Sequence, residues 1–412
     1  MDRQQKKQSS TGFITRDFIM ACLVAFLCRL ALQARNTSTP LYVLALNYTK
    51  SAAGLAASAY TIAALVFRPL VGGIIDRFGR KKVLITGTAI IACALVPLSF
   101  AKDLPMIYFF SVICGIGFSF QSTALSTIIT DLVPDDQLSA GLGYYSLTST
   151  FSQALGPSLA LWTIATFSYQ GAFLTAAGLV FLGLVCAFLI RYEQKQKAET
   201  PAKKDAGTAG GPAEEEGPRP WWAKIVEPGA ARSGFMICFV TFASAAIGTF
   251  MAAYADENHI ANIGMFFTVR AIGTGIARLC TGTVTRAIGN KNTMLVSLVS
   301  LVIGYFGIVM CKSIVPLCII SFFYAVGNGL FNVTCNVLAV VQTPKKRRGA
   351  ANATFYLLMD LGLGVGAAFW GVVADHFGIR GAFLGAGILT AAVLVFAFFY
   401  LQKVDIDAPA AG

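Results

Sequence analysis

The chain has 412 residues, is 56% hydrophobic and only 13% charged, and carries a net charge of +12. Its mean hydropathy is +0.67, whereas in soluble domains about a quarter of residues are charged. An ordinary soluble domain is thereby excluded, and the absence of strand-type alternation excludes a barrel, which leaves membrane-spanning helices as the way to satisfy the backbone in lipid.

Residues 1–16 are polar and basic, with no cleavage signature for a signal peptide, and are expected to form a cytoplasmic N-terminal segment. Apolar runs near the ~20 residues that cross a ~30 Å hydrocarbon core then recur along the chain. They predict helices at about 17–43, 51–73, 83–101, 105–130, 138–163, 170–191, 231–255, 261–284, 291–311, 314–340, 348–373 and 380–402. The predicted fold class is therefore an all-α membrane protein of twelve transmembrane helices in two six-helix bundles, 17–191 and 231–402. Between them, 192–230 is rich in Gly, Pro, Ala and charge and reads as a flexible cytoplasmic linker. Residues 403–412 are expected to be a cytoplasmic tail.

Charge sets the expected orientation. Arg3, Lys6, Lys7, Arg16, the Arg77–Lys82 cluster, Arg286, Lys291, Lys345–Arg348 and Lys403 fall on one side, and only Lys50, Lys102, Lys312 and Arg380 on the other. Basic loops stay in the cytoplasm, so both termini are placed inside, in a cell (inner) membrane. This bias accounts for the basicity without nucleic acid. The ten cysteines lie in or at the ends of apolar runs without a CxxC pair, which points to apolar filling rather than metal or disulfide. No metal cluster, phosphate-binding loop or nucleophile–base spacing is present, so neither a cofactor nor an enzyme is expected.

The two bundles are copies. A shift of 210 residues carries Gly54 onto Gly264, Arg68 onto Arg278, Gly72 onto Gly282, Gly79 onto Gly289, Lys81 onto Lys291, Pro134 onto Pro344 and Gly156 onto Gly366. Paired bundles of this kind are the plan of alternating-access carriers, with the substrate at their interface.

Between the second and third predicted helices stands "GGIIDRFGRKK", residues 72–82. It resembles the G-x-x-x-D-R-x-G-R-[RK]-[RK] signature of the major facilitator superfamily, and the resemblance extends over the twelve spans, the duplication and the linker. It implies a cytoplasmic gate built from Gly72, Asp76, Arg77, Gly79 and Arg80, with Asp76 meeting the start of the eleventh helix near Gly349–Ala351. Gly72 and Gly73 are suited to close helix approach, and Gly79 to a turn with positive φ. In the second copy Arg286 stands where Asp76 does, so the gates are not equivalent.

Polar groups inside the spans mark the pathway. Arg29, Gln33 and Asn36 share a face of the first helix; Tyr145, Ser149 and Ser152 lie on the fifth; Arg270 is on the eighth; Asn328, Asn332 and Asn336 stripe the tenth; Asn352, Tyr356 and Asp360 stripe the eleventh. Each stripe also suits interhelical hydrogen bonding. The substrate-binding candidates are Arg29, Gln33, Asn36, Tyr145, Ser149, Arg270, Asn328, Asn332 and Tyr356. Asp360 is the coupling candidate, pairing with Arg29 or Arg270 or carrying a proton. Two arginines against one acid favour a substrate with a carboxylate or phosphate. Arg35 is expected to snorkel toward the outer surface, and Arg68 and Arg278, being repeat-equivalent, to be scaffold.

Gly156-Pro157 resembles the core of the antiporter signature of the drug:proton branch. Gly115 and Gly117 retain part of that branch's fourth-helix motif, with Ser111 and Cys114 in place of its Arg and Gln. The resemblance implies a secondary transporter of a small molecule, most simply a proton-coupled exporter, and nothing in the sequence demands more than a monomer. The alternatives are an organic-anion uptake carrier or exchanger using Arg29 and Arg270, and a receptor or scaffold without transport.

Overall fold

A computed structural model describes residues 15–134, 138–191, 228–341, 343 and 348–402. Among these, nine helices are long and apolar enough to cross a membrane. They belong to α1 (Arg16–Ala45), α2 (Lys50–Phe78), α3 (Arg80–Phe100), α4 (Leu104–Leu132), α5 (Leu138–Leu189), α6 (Pro228–Glu257), α7 (Gly264–Met310), α8 (Ile314–Val341) and α9 (Arg348–Gln402).

Three of the nine are helix pairs run together at one non-helical residue. The joints are Ser168 in α5 (φ 82°), Gly289 in α7 (φ 79°) and Gly378 in α9 (φ 73°). The loops expected near 164–169, 285–290 and 374–379 thus shrink to single left-handed residues, since one such residue suffices to turn the chain out of a helix. Gly79, with φ 88°, ends α2 and begins α3 in the same way. The 210-residue shift carries Gly79 onto Gly289 and Ser168 onto Gly378, so the copy relation extends to backbone conformation. α6 starts at Pro228 rather than 231, and the rest of the expected linker lies outside the described residues, as do both tails.

Helices within a bundle approach closely where side chains vanish. A β-carbon on Gly117 of α4 would lie 2.9 Å from the carbonyl oxygen of Gly87 on α3, and one on Gly327 of α8 would lie 2.8 Å from that of Ser297 on α7. These two contacts are repeat-equivalent. The outward surface is apolar: Leu279 and Met310 are 81% exposed and Phe377 77%, as suits side chains bathed in lipid tails.

The bundles meet along two seams. In one, α2 packs on the first limb of α9, where Gly364 approaches Thr61 and Ile62 and Ser58 Oγ donates to the Gly364 carbonyl at 2.5 Å. In the other, the first limbs of α5 and α7 meet, with Ser158 Oγ donating to the Gly264 carbonyl at 3.1 Å.

Candidate functional site

The stripe on α1 faces α5. Arg29 donates to the Tyr145 hydroxyl at 2.7 Å, with its guanidinium carbon 4.6 Å from the ring centroid. Further along the stripe, Asn36 Nδ2 reaches Gln33 Oε1 at 3.5 Å. Gln33 is also what a side chain at Gly156 would strike, so Gly156 admits α1 against α5 rather than serving only as a kink. Ser149, on the same limb of α5, accepts from Gln153 Nε2 at 3.3 Å.

Arg35 does not snorkel. It is 1% exposed, donating to Ser111 Oγ at 2.5 Å and Asn36 Oδ1 at 3.1 Å, with the Tyr60 ring 4.8 Å away. Its Nε has no acceptor. About ten residues, or ~15 Å of helix, separate it from the end of α1, too far for its side chain to reach water. Ser111 occupies the place where the related motif carries an arginine, and Arg35 brings a guanidinium to that place from α1.

In the second bundle Arg270 lies 5.8 Å from the ring centroid of Tyr324. The Tyr324 hydroxyl is 2.9 Å from Ser244 Oγ and 3.3 Å from the Tyr305 hydroxyl. Asn328 Nδ2 donates to the same Ser244 Oγ at 3.4 Å, and Asn332 Nδ2 approaches Asn328 Oδ1 at 3.5 Å. Arg270, Asn328 and Asn332 therefore belong to one polar chain. The sequence reading missed its other members, Ser244, Tyr305 and Tyr324, although Tyr324 stands one helical turn from Asn328.

Asp360 pairs with neither Arg29 nor Arg270. Its Oδ2 accepts from Arg68 Nη1 at 2.5 Å, with side chains 22% and 37% exposed respectively. Arg68, expected as scaffold, is thus half of an ion pair joining the two bundles, about 16 Å along α2 from Gly79. Its repeat mate Arg278 is exposed and lies within electrostatic reach of Arg29 and Tyr356. Tyr356 is itself 46% exposed. Among the described residues, the interior of the spans holds five arginines (29, 35, 68, 270 and 278) against Asp360 alone.

At the Gly79 end, Gly79 has the expected positive φ. Among the described residues, nothing lies within 4 Å of where the β-carbons of Gly72 and Gly73 would be. Arg77 sits 5.5 Å from the Phe78 ring, and Arg80 bonds Asp131 on α4. The side chains of Asp76, Gly349, Ala350 and Asn352 lie outside the described part.

The opposite end carries a contact that the sequence did not announce. The first turn of α2 leaves three amides without intrahelical partners. Thr49 Oγ1 accepts from Ala52 N at 3.2 Å. The other two are taken by Asp375 of α9: Lys50 N donates to Oδ1 at 2.7 Å and Ser51 N to Oδ2 at 2.9 Å. Ser51 Oγ also donates to Oδ2. Lys50 Nζ adds a bridge to Glu257 of α6 at 2.8 Å. Beside this clasp, a β-carbon on Gly371 would lie 2.8 Å from the Lys50 carbonyl oxygen.

Comparison with known proteins agrees with this geometry. The sequence pattern of the Major Facilitator Superfamily matches residues 21–233 and again 233–411, and the chain belongs to that family. It is 27% identical over 387 residues to the staphylopine export protein of Staphylococcus aureus, covering 88% of this chain and 90% of that one. It is 24% identical over 350 residues to the multi-drug resistance efflux pump PmrA of Streptococcus pneumoniae, covering 82% and 83%. Its fold is like that of the nucleoside transporter NupG, with TM-score 0.74 at 15% identity over 95% of this chain and 100% of that one. A bacterial homologue of the human lysosomal transporter Spinster, inward-facing and unoccupied, gives 0.73 at 13% identity over 96% and 98%.

Proposed function

From its membership of the major facilitator superfamily, we infer that the chain is a twelve-span secondary transporter that exports a small molecule in exchange for protons. The twelve spans are the nine helical elements with α5, α7 and α9 each divided at its joint. The 192–227 linker and both termini are cytoplasmic, as the basic loops favour, so the Gly79 end faces inward and the Lys50 end outward.

The Arg68–Asp360 pair carries the coupling reading. Asp360 is the lone acid in the span interiors described, and it holds a cation of the opposite bundle. A proton on Asp360 removes the attraction and releases Arg68, so protonation and the relation between bundles are linked through one bond. The contacts between bundles described above run from Asp375 at the outer end to Asp360 near mid-depth, which suits a form closed to the outside. In the reverse form Asp76, with Arg77, Gly79 and Arg80 around it, would close the inner side. Export is favoured by the likeness to two bacterial efflux proteins.

Reconstituted vesicles test the reading. Substrate added to vesicles under an imposed proton gradient should release protons, and Asp360→Asn should abolish that release while leaving substrate binding. A gradient-independent exchange of organic anions would instead favour the second reading, which Arg29 and Arg270 motivate: neither has an acidic partner among the described residues.

A further inference from the structure

The ion pair between the bundles has a mirror image from which one member is missing. The 210-residue shift that carries Arg68 onto Arg278 also carries Thr150 onto Asp360. The frame is duplicated faithfully: α2 meets the first limb of α9 at Arg68–Asp360, and the first limb of α7 meets the first limb of α5 at Thr150. A β-carbon on Gly275, one turn from Arg278, would lie 3.4 Å from Thr150 Cγ2. Where the first seam has a carboxylate, the second has a methyl and a hydroxyl, and that hydroxyl donates back to the Ser146 carbonyl at 3.4 Å.

Arg278 is consequently left without an acid among the described residues. It does not retreat to a helix end, since eleven residues, ~16 Å of helix, separate it from Gly289. The contacts of Ser158 with Gly264 and of Thr150 with Gly275 make the two limbs antiparallel. Arg278, three residues beyond Gly275, and Tyr145, five before Thr150, therefore come to nearly one level, where Arg278 is within electrostatic reach of Arg29 and Tyr356. Among the described residues Arg29 is held by the neutral hydroxyl and ring of Tyr145. Cations within a span face water or take a counter-charge, and Arg278 is exposed with no acid beside it or Arg29 among the described residues. Planar guanidinium groups match carboxylates with paired hydrogen bonds.

Resting on the transport reading above, we infer that Arg278 and Arg29 form a carboxylate-binding subsite, in which the transported molecule supplies the acid that Thr150 does not. Tyr145 and Tyr356 flank the subsite and favour an aromatic or flat apolar body attached to the carboxylate. The bound acid then spans the α5–α7 seam as Asp360 spans the α2–α9 seam, and cargo completes the pseudo-symmetric pair.

The purified full chain carrying Tyr356→Cys tests this with benzoate and its neutral isostere benzamide as probes. The reaction of the introduced thiol with N-ethylmaleimide is followed, and the labelling of the parent chain is subtracted. Benzoate should slow the reaction at least fivefold more than benzamide at equal concentration. Thr150→Asp, which supplies the missing acid internally, and Arg278→Gln should each erase the difference; if Thr150→Asp fails to fold, Arg278→Gln decides. Equal protection by the two probes, or a difference surviving Arg278→Gln, overturns the subsite. Inorganic phosphate protecting as well as benzoate would also overturn it, by showing a simple anion site. The assay needs no transport, so loss of export with benzoate protection intact would strike the export reading alone.

Discussion

On the orientation proposed above, Asp375→Asn isolates the clasp at the outer end. Asparagine keeps the shape and one acceptor oxygen but removes the charge and one of the two oxygens that take the amides of Lys50 and Ser51. A charge at a helix N-terminus is worth about 0.3–1 kcal/mol, and a net hydrogen bond about 0.5–1.5 kcal/mol. Their loss should destabilise the outer-closed form by roughly 1–2 kcal/mol, or about 5- to 30-fold in the closed-to-open ratio. Ser58, 2% exposed beneath the clasp, supplies the reporter. In a Ser58→Cys background, labelling by a membrane-impermeant maleimide applied from outside should accelerate by that factor when Asp375→Asn is added. Glu257→Gln, which breaks only the side-chain bridge to Lys50, should change labelling less than about threefold, because exposed ion pairs contribute about 0–1 kcal/mol. An unchanged rate in Asp375→Asn, or a larger effect from Glu257→Gln, would refute the assignment of the clasp to the helix end.

Asp360→Asn should lower substrate-driven proton release at least tenfold, read by a pH dye inside vesicles. Its melting temperature should move little, since Arg68 is 37% exposed and can hydrate. Arg270→Glu should abolish transport of an anionic substrate, and retained affinity in a binding titration would remove Arg270 from the site. Gly54→Ala should open the outer seam and destabilise the fold by about 1–3 kcal/mol, because its β-carbon would strike the Ala367 carbonyl and sit 3.3 Å from Gly371 Cα. Gly72→Ala, with no described atom within 4 Å of the added carbon, should instead raise thermal stability by about 0.5–1 kcal/mol while slowing transport, if Gly72 meets the other bundle when the inner side closes.

Periodicity made much of the architecture legible. Apolar runs located the helices, and the 210-residue offset anticipated that Gly79 and Gly289 would share a conformation. Joints made by one residue were not visible, because Ser168 takes a left-handed φ of 82° that its residue type does not advertise. In the site, i, i+4 spacing brought out Arg29, Gln33 and Asn36, and the same spacing joins Tyr324 to Asn328 as it joined Tyr356 to Asn352 and Asp360. The same repeat logic misled at Arg68. Equivalence with Arg278 suggested a shared scaffold role, whereas the acid that distinguishes them lies 292 residues away on the other bundle. Arg35 was misread because the expected snorkel assumes a distance from the helix end short enough to reach water, and because the sequence does not reveal that Ser111 and Tyr60 enclose it. Asp375 escaped notice because its partners are backbone amides, which carry no sequence signature.

The glycine contacts have a mechanical consequence. Where Gly117 nests against Gly87, and Gly327 against Ser297, backbones touch with no room for a methyl, so neighbouring helices resist sliding, and in the transport cycle proposed above each bundle would turn as a solid body. Movement is then concentrated at the seams, with α2 as a lever arm. Its 29 residues span roughly 43 Å at about 1.5 Å each, so a swing of about 10° hinged at one tip displaces the other by about 7 Å. A gap of that size admits a small solute, opened without bending a single helix.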